Sequence, residues 1–148
     1  MTLPDAVDEP ARRSRDSLVC EVAAVAAQAA ILRDILVDWA RGCDMPAELA
    51  QDLKLAAYEA MANVVEHAYP DDTVGTMTVA AHRESGAITV TISDSGRWRD
   101  GDSRPLRGRG IPIIRAVTPE AGITSTPTGT TVRMRWPWRR PEHGAPPR

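Results

Sequence analysis

Several features that mark other classes of protein are scarce in this sequence of 148 residues. The longest apolar run, Val22 to Leu32, is interrupted by Gln28 and is well short of the ~20 residues that span a bilayer. Charged residues and a proline lie near the N-terminus, where a signal peptide would have its apolar core. These absences predict a cytoplasmic protein that makes no membrane contact.

An excess of charge of either sign is also lacking. The chain has 18 basic and 20 acidic residues, which gives a formal net charge of -2. This balance provides no overall field to attract nucleic acid or an anionic membrane. The basic segment "RGRG" occurs once and has no interleaved aromatic residues, so we expect no direct contact with nucleic acid.

Cysteine is rare, and the two that occur, Cys20 and Cys43, do not have the spacing of a metal or redox motif. We therefore expect reduced, structural thiols.

The composition that is present favours a single folded unit. Residues 1–16 and 139–148 are rich in charge or proline and poor in apolar groups, which predicts two disordered tails. Residues 17–138 then form the folded unit, and its length suits one domain.

Periodicity within this unit predicts helices first and hairpin-connected strands afterwards. A short strand, "SLVCEVA", precedes a helix from about Val25 to Arg41, and Pro46 opens a second helix that runs to about Ala68. The strands "TMTVAAHRE" and "AITVTISD" follow, joined by a turn at Ser85-Gly86. A short helix after "GRGIP" and two more strands around Pro127 complete an α+β, two-layer sandwich.

The second helix carries polar residues in an otherwise apolar stretch, "YEAMANVVEHAYP". At helical spacing, one apolar arc lies nearly opposite a polar stripe made of Asp52, Glu59, Asn63 and Glu66. The simplest interpretation is a solvated face. The alternative is a chemical role for Glu59 and Asn63, which are four residues apart and therefore share a helix face.

Two of the predicted strands carry polar residues on their apolar side. Asp94 has the same parity as Ile88, Val90 and Ile92, and Thr130 has the same parity as Val132, Met134 and Trp136. A carboxylate in an apolar row is costly unless something pairs with it. Taken alone, the two positions also have plainer interpretations, a turn at a strand end for Asp94 and a hairpin turn for the segment at Thr130.

The segments "EAMANVVEHAY", "DSG", "RGRGI" and "GTT" follow one another in the order of the four nucleotide-binding boxes of the GHKL (Bergerat) ATP-binding fold. That fold is shared by gyrase and histidine kinases. More closely, the phrase "LAAYEAMANVVEHAYP" is similar to the bacterial anti-sigma-factor serine/threonine kinases. The resemblance covers about residues 17–138 and implies a mixed, mostly antiparallel sheet with helices on one face.

The resemblance also implies a role for each box. Glu59 matches the general base, Asn63 the Mg²⁺ ligand and Asp94 the acceptor of a hydrogen bond from the adenine amino group. Gly96 would let the adenine approach the backbone, and Thr130 would face the same pocket. The phosphates of ATP would lie against the segment around Gly108, Gly110 and Ile111, with Arg107 on the γ-phosphate.

Some nearby residues are not expected to take part. Arg109 and Glu66 are interpreted as solvated charges. His67 has no second histidine or cysteine at ligand spacing, so a packed or capping histidine is favoured over a metal ligand.

Trp98 departs from the family pattern, because it stands where many relatives have the second glycine of the "DSG" box. Two functions therefore remain open. The first is an ATP- and Mg²⁺-dependent anti-sigma factor that binds a sigma factor and phosphorylates a serine or threonine of an anti-anti-sigma (STAS) partner, with a homodimer also implied by the resemblance. The second is a protein-binding regulator, responsive to nucleotide or independent of it, that has no kinase activity. A plain structural α+β domain is the third alternative.

Overall fold

The structure, a computed structural model, describes residues 11–69, 73–96 and 110–138. Its helices are α1 (Ala26–Gly42), α2 (Ala47–His67) and α3 (Gly110–Ala116). Its strands are β1 (Ala11–Arg13), β2 (Ser17–Ala23), β3 (Thr76–Glu84), β4 (Ala87–Asp94), β5 (Glu120–Thr126) and β6 (Gly129–Pro137). Each helix and strand that the periodicity predicts within these ranges is confirmed, with ends that agree to within a few residues.

The described strands form one sheet in the order β1-β2-β3-β4-β6-β5, and every neighbouring pair is antiparallel. The expected α+β class is confirmed. The expected parallel component of a mixed sheet is not seen among these strands, because each sequential connection between neighbours is a hairpin or an antiparallel return.

The helices form the second layer, on one face of the sheet. α1 packs on β2, α2 packs on β4 and β6, and α3 packs against α2. Between the layers lies a core of fully buried side chains contributed by the three helices and by β2, β3, β4 and β6, among them Leu36, Leu53, Met61, Ile88, Met134 and Trp136. Burying this apolar surface is the main source of stability, at about 1.5–3 kcal/mol for each large side chain.

Hydrogen bonds to main-chain carbonyl groups far along the chain hold two core tryptophans in place. The Trp39 indole donates to the Ser14 carbonyl at 3.1 Å, and the Trp136 indole donates to the Val117 carbonyl at 2.9 Å. These bonds satisfy the N–H groups that burial would otherwise leave without an acceptor.

The prediction of a disordered tail over residues 1–16 is wrong for residues 11–16. β1 pairs with β2, and Arg13 makes a 2.9 Å ion pair with Asp38 of α1. The Ser14 hydroxyl oxygen accepts from the Ser17 amide and closes the turn between the two strands. Main-chain pairing and a serine turn need no apolar residues, so a composition poor in them did not preclude a strand. Residues 1–10 and 139–148 lie outside the described part.

Both cysteines are buried and free, at 1% and 3% exposure. Burial raises the pKa of the Cys20 thiol and the pKa of the Cys43 thiol, because the low-polarity surroundings disfavour the thiolate. Their interpretation as structural thiols agrees with this environment. None of the helices in the described part of the chain combines the length and the apolar character needed to cross a bilayer.

Candidate functional site

α2 carries Glu59 and Asn63 and presents them differently from a solvated face. Glu59 is half-buried, and Asn63 is buried with 4% exposure. The side-chain nitrogen of Asn63 is fully enclosed and has no hydrogen-bond partner. The simplest interpretation of the polar stripe is therefore wrong for Asn63, whereas Glu66, at 56% side-chain exposure, is solvated as expected.

Asp94 ends β4 on the side of the sheet that the helices cover. It is 9% exposed, and its Oδ1 accepts a 2.9 Å hydrogen bond from the Gly96 amide. This bond fixes one carboxylate oxygen toward the backbone that follows the strand. The predicted inward parity of Asp94 with Ile88, Val90 and Ile92 is confirmed by the burial of all four residues.

Thr130 lies directly across from Asp94 in the β4–β6 pairing and is 2% exposed. Side chains opposite each other in an antiparallel pair have Cβ atoms about 5 Å apart, so the two polar groups form one cluster on the inner face. The Thr130 hydroxyl lies 3.1 Å from the Ser125 hydroxyl, either of which can donate. Asp94 and Thr130, which the strand periodicity places in line with apolar residues, therefore lie next to each other.

Two glycines allow the backbone around this cluster to pack closely. A Cβ on Gly96 would collide with the carbonyl oxygen of Ala68, just past the end of α2, and a Cβ on Gly129 would collide with the carbonyl oxygen of Asp94. Gly96 was expected to make room for an adenine. The described contacts give it a second reason to be glycine, which is the approach of the β4 end to the end of α2.

Tyr69 is a residue that the sequence-based reasoning missed. Its hydroxyl donates to the Thr76 carbonyl at 2.6 Å and accepts from the Ser95 amide at 3.0 Å. Tyr69 therefore joins the end of α2 to the beginning of β3 and to the segment after Asp94. The available signal was weak, because an aromatic residue before a proline at a helix end is an ordinary helix stop.

The segment expected to contact phosphates is described only in part. Gly110 is the first residue of α3, and Ile111 is 5% exposed, next to the fully buried Ile114. These isoleucines belong to the face of α3 that packs inward. Arg107, Gly108, Arg109 and Trp98 lie outside the described residues, so the predictions made for them stay predictions.

Asn63 is the residue that the resemblance assigns to Mg²⁺. No group of three or more histidine, cysteine or acidic side chains in the described ranges is arranged to hold a metal. Mg²⁺ needs no such cage, since it keeps several waters and binds through one or two protein groups together with substrate phosphates. The side-chain oxygen of Asn63 is the atom that would bind Mg²⁺, whereas the atom without a partner in the structure is the side-chain nitrogen.

His67, at the end of α2, lies with its Nε2 3.5 Å from the Glu66 carboxylate. Its side chain is 23% exposed. This placement agrees with the expectation of a packed histidine at the helix end.

Comparison with known proteins extends these observations. An anti-sigma F factor of Caldanaerobacter subterraneus is 27% identical over 115 residues, which are 69% of this chain and 80% of that protein. A serine-protein kinase RsbW of Listeria innocua is 37% identical over 57 residues, which are 38% of this chain and 36% of that protein.

The fold is similar to a solved structure as well. A crystal structure of the RsbU and RsbW domains of a Mycobacterium tuberculosis protein superposes with a TM-score of 0.67 at 25% identity. The match covers 83% of this chain and 33% of the other, so the present chain spans about a third of that protein. The resemblance drawn from the four boxes is confirmed by these relatives. Residues 22–136 match the model of the histidine kinase-like ATPase domain, so the chain belongs to that family.

Proposed function

We propose that this protein is an ATP- and Mg²⁺-dependent anti-sigma factor that phosphorylates a serine or threonine of a STAS partner. The observation that carries the proposal is the buried side chain of Asn63, whose nitrogen has no hydrogen-bond partner, one turn beyond Glu59 on the helix that packs over β4 and β6. Burying a polar group without a partner costs about 1–3 kcal/mol, and this cost supports a role for Asn63 beyond packing.

In this proposal, the nucleotide is recognised at the ends of β4 and β6. The Asp94 carboxylate keeps Oδ1 on the Gly96 amide and receives the adenine amino group as a further donor, while Thr130 supplies a hydroxyl beside it. Gly96 would bring the main chain close to the base. The phosphates would lie against the segment that contains Gly108, Gly110 and Ile111, with Arg107 stabilising the charge on the γ-phosphate.

Glu59 would act as the general base. It accepts the proton of the serine or threonine hydroxyl as that oxygen attacks the γ-phosphorus, and ADP leaves with the electrons of the broken bond. Asn63 would hold Mg²⁺, which neutralises phosphate charge when bound. Because Glu59 is half-buried and not enclosed, a hydroxyl from a partner protein can reach it.

The names of the relatives support the regulatory part of the proposal, since they include anti-sigma F factors and a serine-protein kinase. The unphosphorylated STAS partner would capture the protein, and the phosphorylated partner would release it to hold the sigma factor as a homodimer. We place this exchange in the cytoplasm, where a sigma factor meets RNA polymerase.

The test is phosphate transfer from γ-labelled ATP to a purified STAS protein. We expect Glu59→Gln to lower the transfer rate by about 10²–10⁴-fold while ATP binding is kept, because removing a general base affects the chemical step. Glu66→Gln is the matched control, since Glu66 is on the same helix and solvated. Its transfer rate should stay at the wild-type level.

One result would reject the kinase, and another would reject the role of Glu59. If wild-type protein binds ATP and no phosphate reaches the STAS protein, the regulator without kinase activity replaces the proposal. If Glu59→Gln and Glu66→Gln transfer phosphate equally, Glu59 is not the base.

A further inference from the structure

We propose that Tyr69 is a positioning residue that sets the Asp94-to-Gly96 backbone for adenine recognition and couples that backbone to α2. The inference rests on the proposed function, because it assigns a specificity role within the same nucleotide site. Tyr69 is not one of the residues to which the resemblance gives a role. The sequence pattern identifies it only as part of a helix stop.

The Tyr69 hydroxyl lies at the point where strand pairing stops. Met77 of β3 and Asp94 of β4 are the last paired residues at this end of the two strands. One residue further, the Thr76 carbonyl and the Ser95 amide both bond to the Tyr69 hydroxyl, at 2.6 and 3.0 Å. The side chain therefore stands between the two strands and ends the ladder immediately beside Asp94.

The direction of each bond is fixed by chemistry. A phenol has one proton to donate, and the Thr76 carbonyl can only accept it. The oxygen lone pairs then remain for the Ser95 amide, which can only donate. Both main-chain groups are satisfied by one oxygen atom, so a side chain without that oxygen leaves two groups in need of partners at the same place.

Close packing limits how far this segment can move. A Cβ on Gly75 would collide with the Tyr69 ring, so the chain before β3 lies directly on the ring. On the other side, Gly96 lies against the Ala68 carbonyl, next to Tyr69 in the chain. The segment after Asp94 is thus held by the hydroxyl at Ser95 and by the end of α2 at Gly96.

This arrangement connects two parts of the proposed site. α2 carries Glu59 and Asn63 upstream of Tyr69, and the Gly96 amide that Tyr69 helps to place is the donor that orients Asp94. A change at the Tyr69 hydroxyl should therefore reach the carboxylate that recognises the adenine amino group. It should have less effect on groups that recognise phosphate.

The experiment compares Tyr69→Phe with wild type by calorimetry, using ATP and inosine triphosphate, whose ring has an oxygen where adenine has the amino group. Phenylalanine keeps the ring against Gly75 and removes only the hydroxyl. We expect ATP affinity to fall about tenfold, of the order of one lost hydrogen bond, and inosine triphosphate affinity to change less than about twofold. An equal loss for both nucleotides, or no loss for either, overturns the specificity role.

Tyr58→Phe is the matched control, since the chain has two tyrosines and Tyr58 lies on α2 with its ring 5.2 Å from the Arg33 guanidinium carbon. Its affinities for both nucleotides should equal those of wild type. If Tyr58→Phe lowers ATP affinity as much as Tyr69→Phe, the effect is not specific to the Tyr69 hydroxyl and the inference fails.

A second measurement, hydrogen exchange, uses wild-type protein without nucleotide, so it does not depend on whether a variant folds. In wild-type protein, hydrogen exchange at the Ser95 amide should be slowed by its bond to Tyr69. Exchange of the Ser95 amide at the rate of an unprotected amide contradicts the role of Tyr69 in holding Ser95. If exchange at Ser95 is slow but the protein binds no nucleotide, the proposed function and the adenine role of Tyr69 are both rejected, and only the contact between Tyr69 and Ser95 remains. Failure of the proposed function can thus be told apart from failure of the Tyr69 contact.

Discussion

A buried polar atom without a protein partner weakens a fold, and the side-chain nitrogen of Asn63 is such an atom, on a helix that is otherwise well packed. Residues of this kind persist where function needs them, because selection for binding can outweigh their cost in stability. Asn63 is thus the residue at which the stability of the apoprotein and the proposed activity should conflict most clearly.

We expect Asn63→Ala to change the free energy of unfolding by less than about 1 kcal/mol, because loss of the unpartnered amide offsets loss of packing. Leu53→Ala, at a fully buried position of the same helix, should cost about 2–5 kcal/mol. Asn63→Ala should also abolish the increase in ATP affinity that Mg²⁺ produces. Denaturant unfolding and ATP titrations with and without Mg²⁺ measure both effects.

A large destabilisation by Asn63→Ala, equal to that of Leu53→Ala, would show that Asn63 is a satisfied core residue. Unchanged Mg²⁺ dependence would remove its role as the metal ligand.

At the scale of elements, the contact between the end of α2 and the end of β4 brings the two halves of the candidate site together. Gly96 makes this contact possible, because the Ala68 carbonyl occupies the place where a Cβ would be. Backbone atoms yield less easily than flexible side chains, so the contact leaves little freedom for substitution.

Gly96→Ala should therefore lower the free energy of unfolding by about 1–3 kcal/mol and weaken nucleotide binding, since either the end of α2 or the backbone after β4 must move. Gly42→Ala, at the last residue of α1 with nothing near the added Cβ, is the matched control. It should be neutral or stabilising by up to about 1 kcal/mol, because alanine favours a helix more than glycine does. Thermal unfolding of both variants checks this, and a harmless Gly96→Ala would contradict the proposed tight contact.

The elements themselves were largely predictable from the sequence. Alternating residues placed the β3–β4 hairpin correctly, and helical spacing identified the apolar arc of α2, because both patterns reflect one buried face. The burial of Asn63 was not predictable from periodicity, since the helical spacing places Asn63 in the polar stripe and burial depends on what packs over the helix. The Tyr69 bonds depend in part on Ser95, which is distant from α2 in the sequence and close to it in the fold. β1 depends on main-chain pairing that composition does not reveal.

At the scale of the whole molecule, one sheet and one helical layer account for the described chain. The family match over residues 22–136 covers nearly all of this unit. Asp94, Thr130 and the end of α2 lie at one end of the sheet, where β4 ends and β6 begins. The central claim is that this end of the molecule binds the adenine of ATP.

Calorimetric titration of ATP into wild-type protein and Asp94→Asn tests that claim most directly. Asparagine keeps an oxygen for the Gly96 amide and replaces the other carboxylate oxygen with an N–H₂ group, which cannot accept from adenine. We predict that wild type binds one ATP per chain and that Asp94→Asn lowers the affinity by about 10-fold to 150-fold, as expected for a lost hydrogen bond to a charged group. Absence of ATP binding by wild type, or equal affinity of the two proteins, would contradict the account.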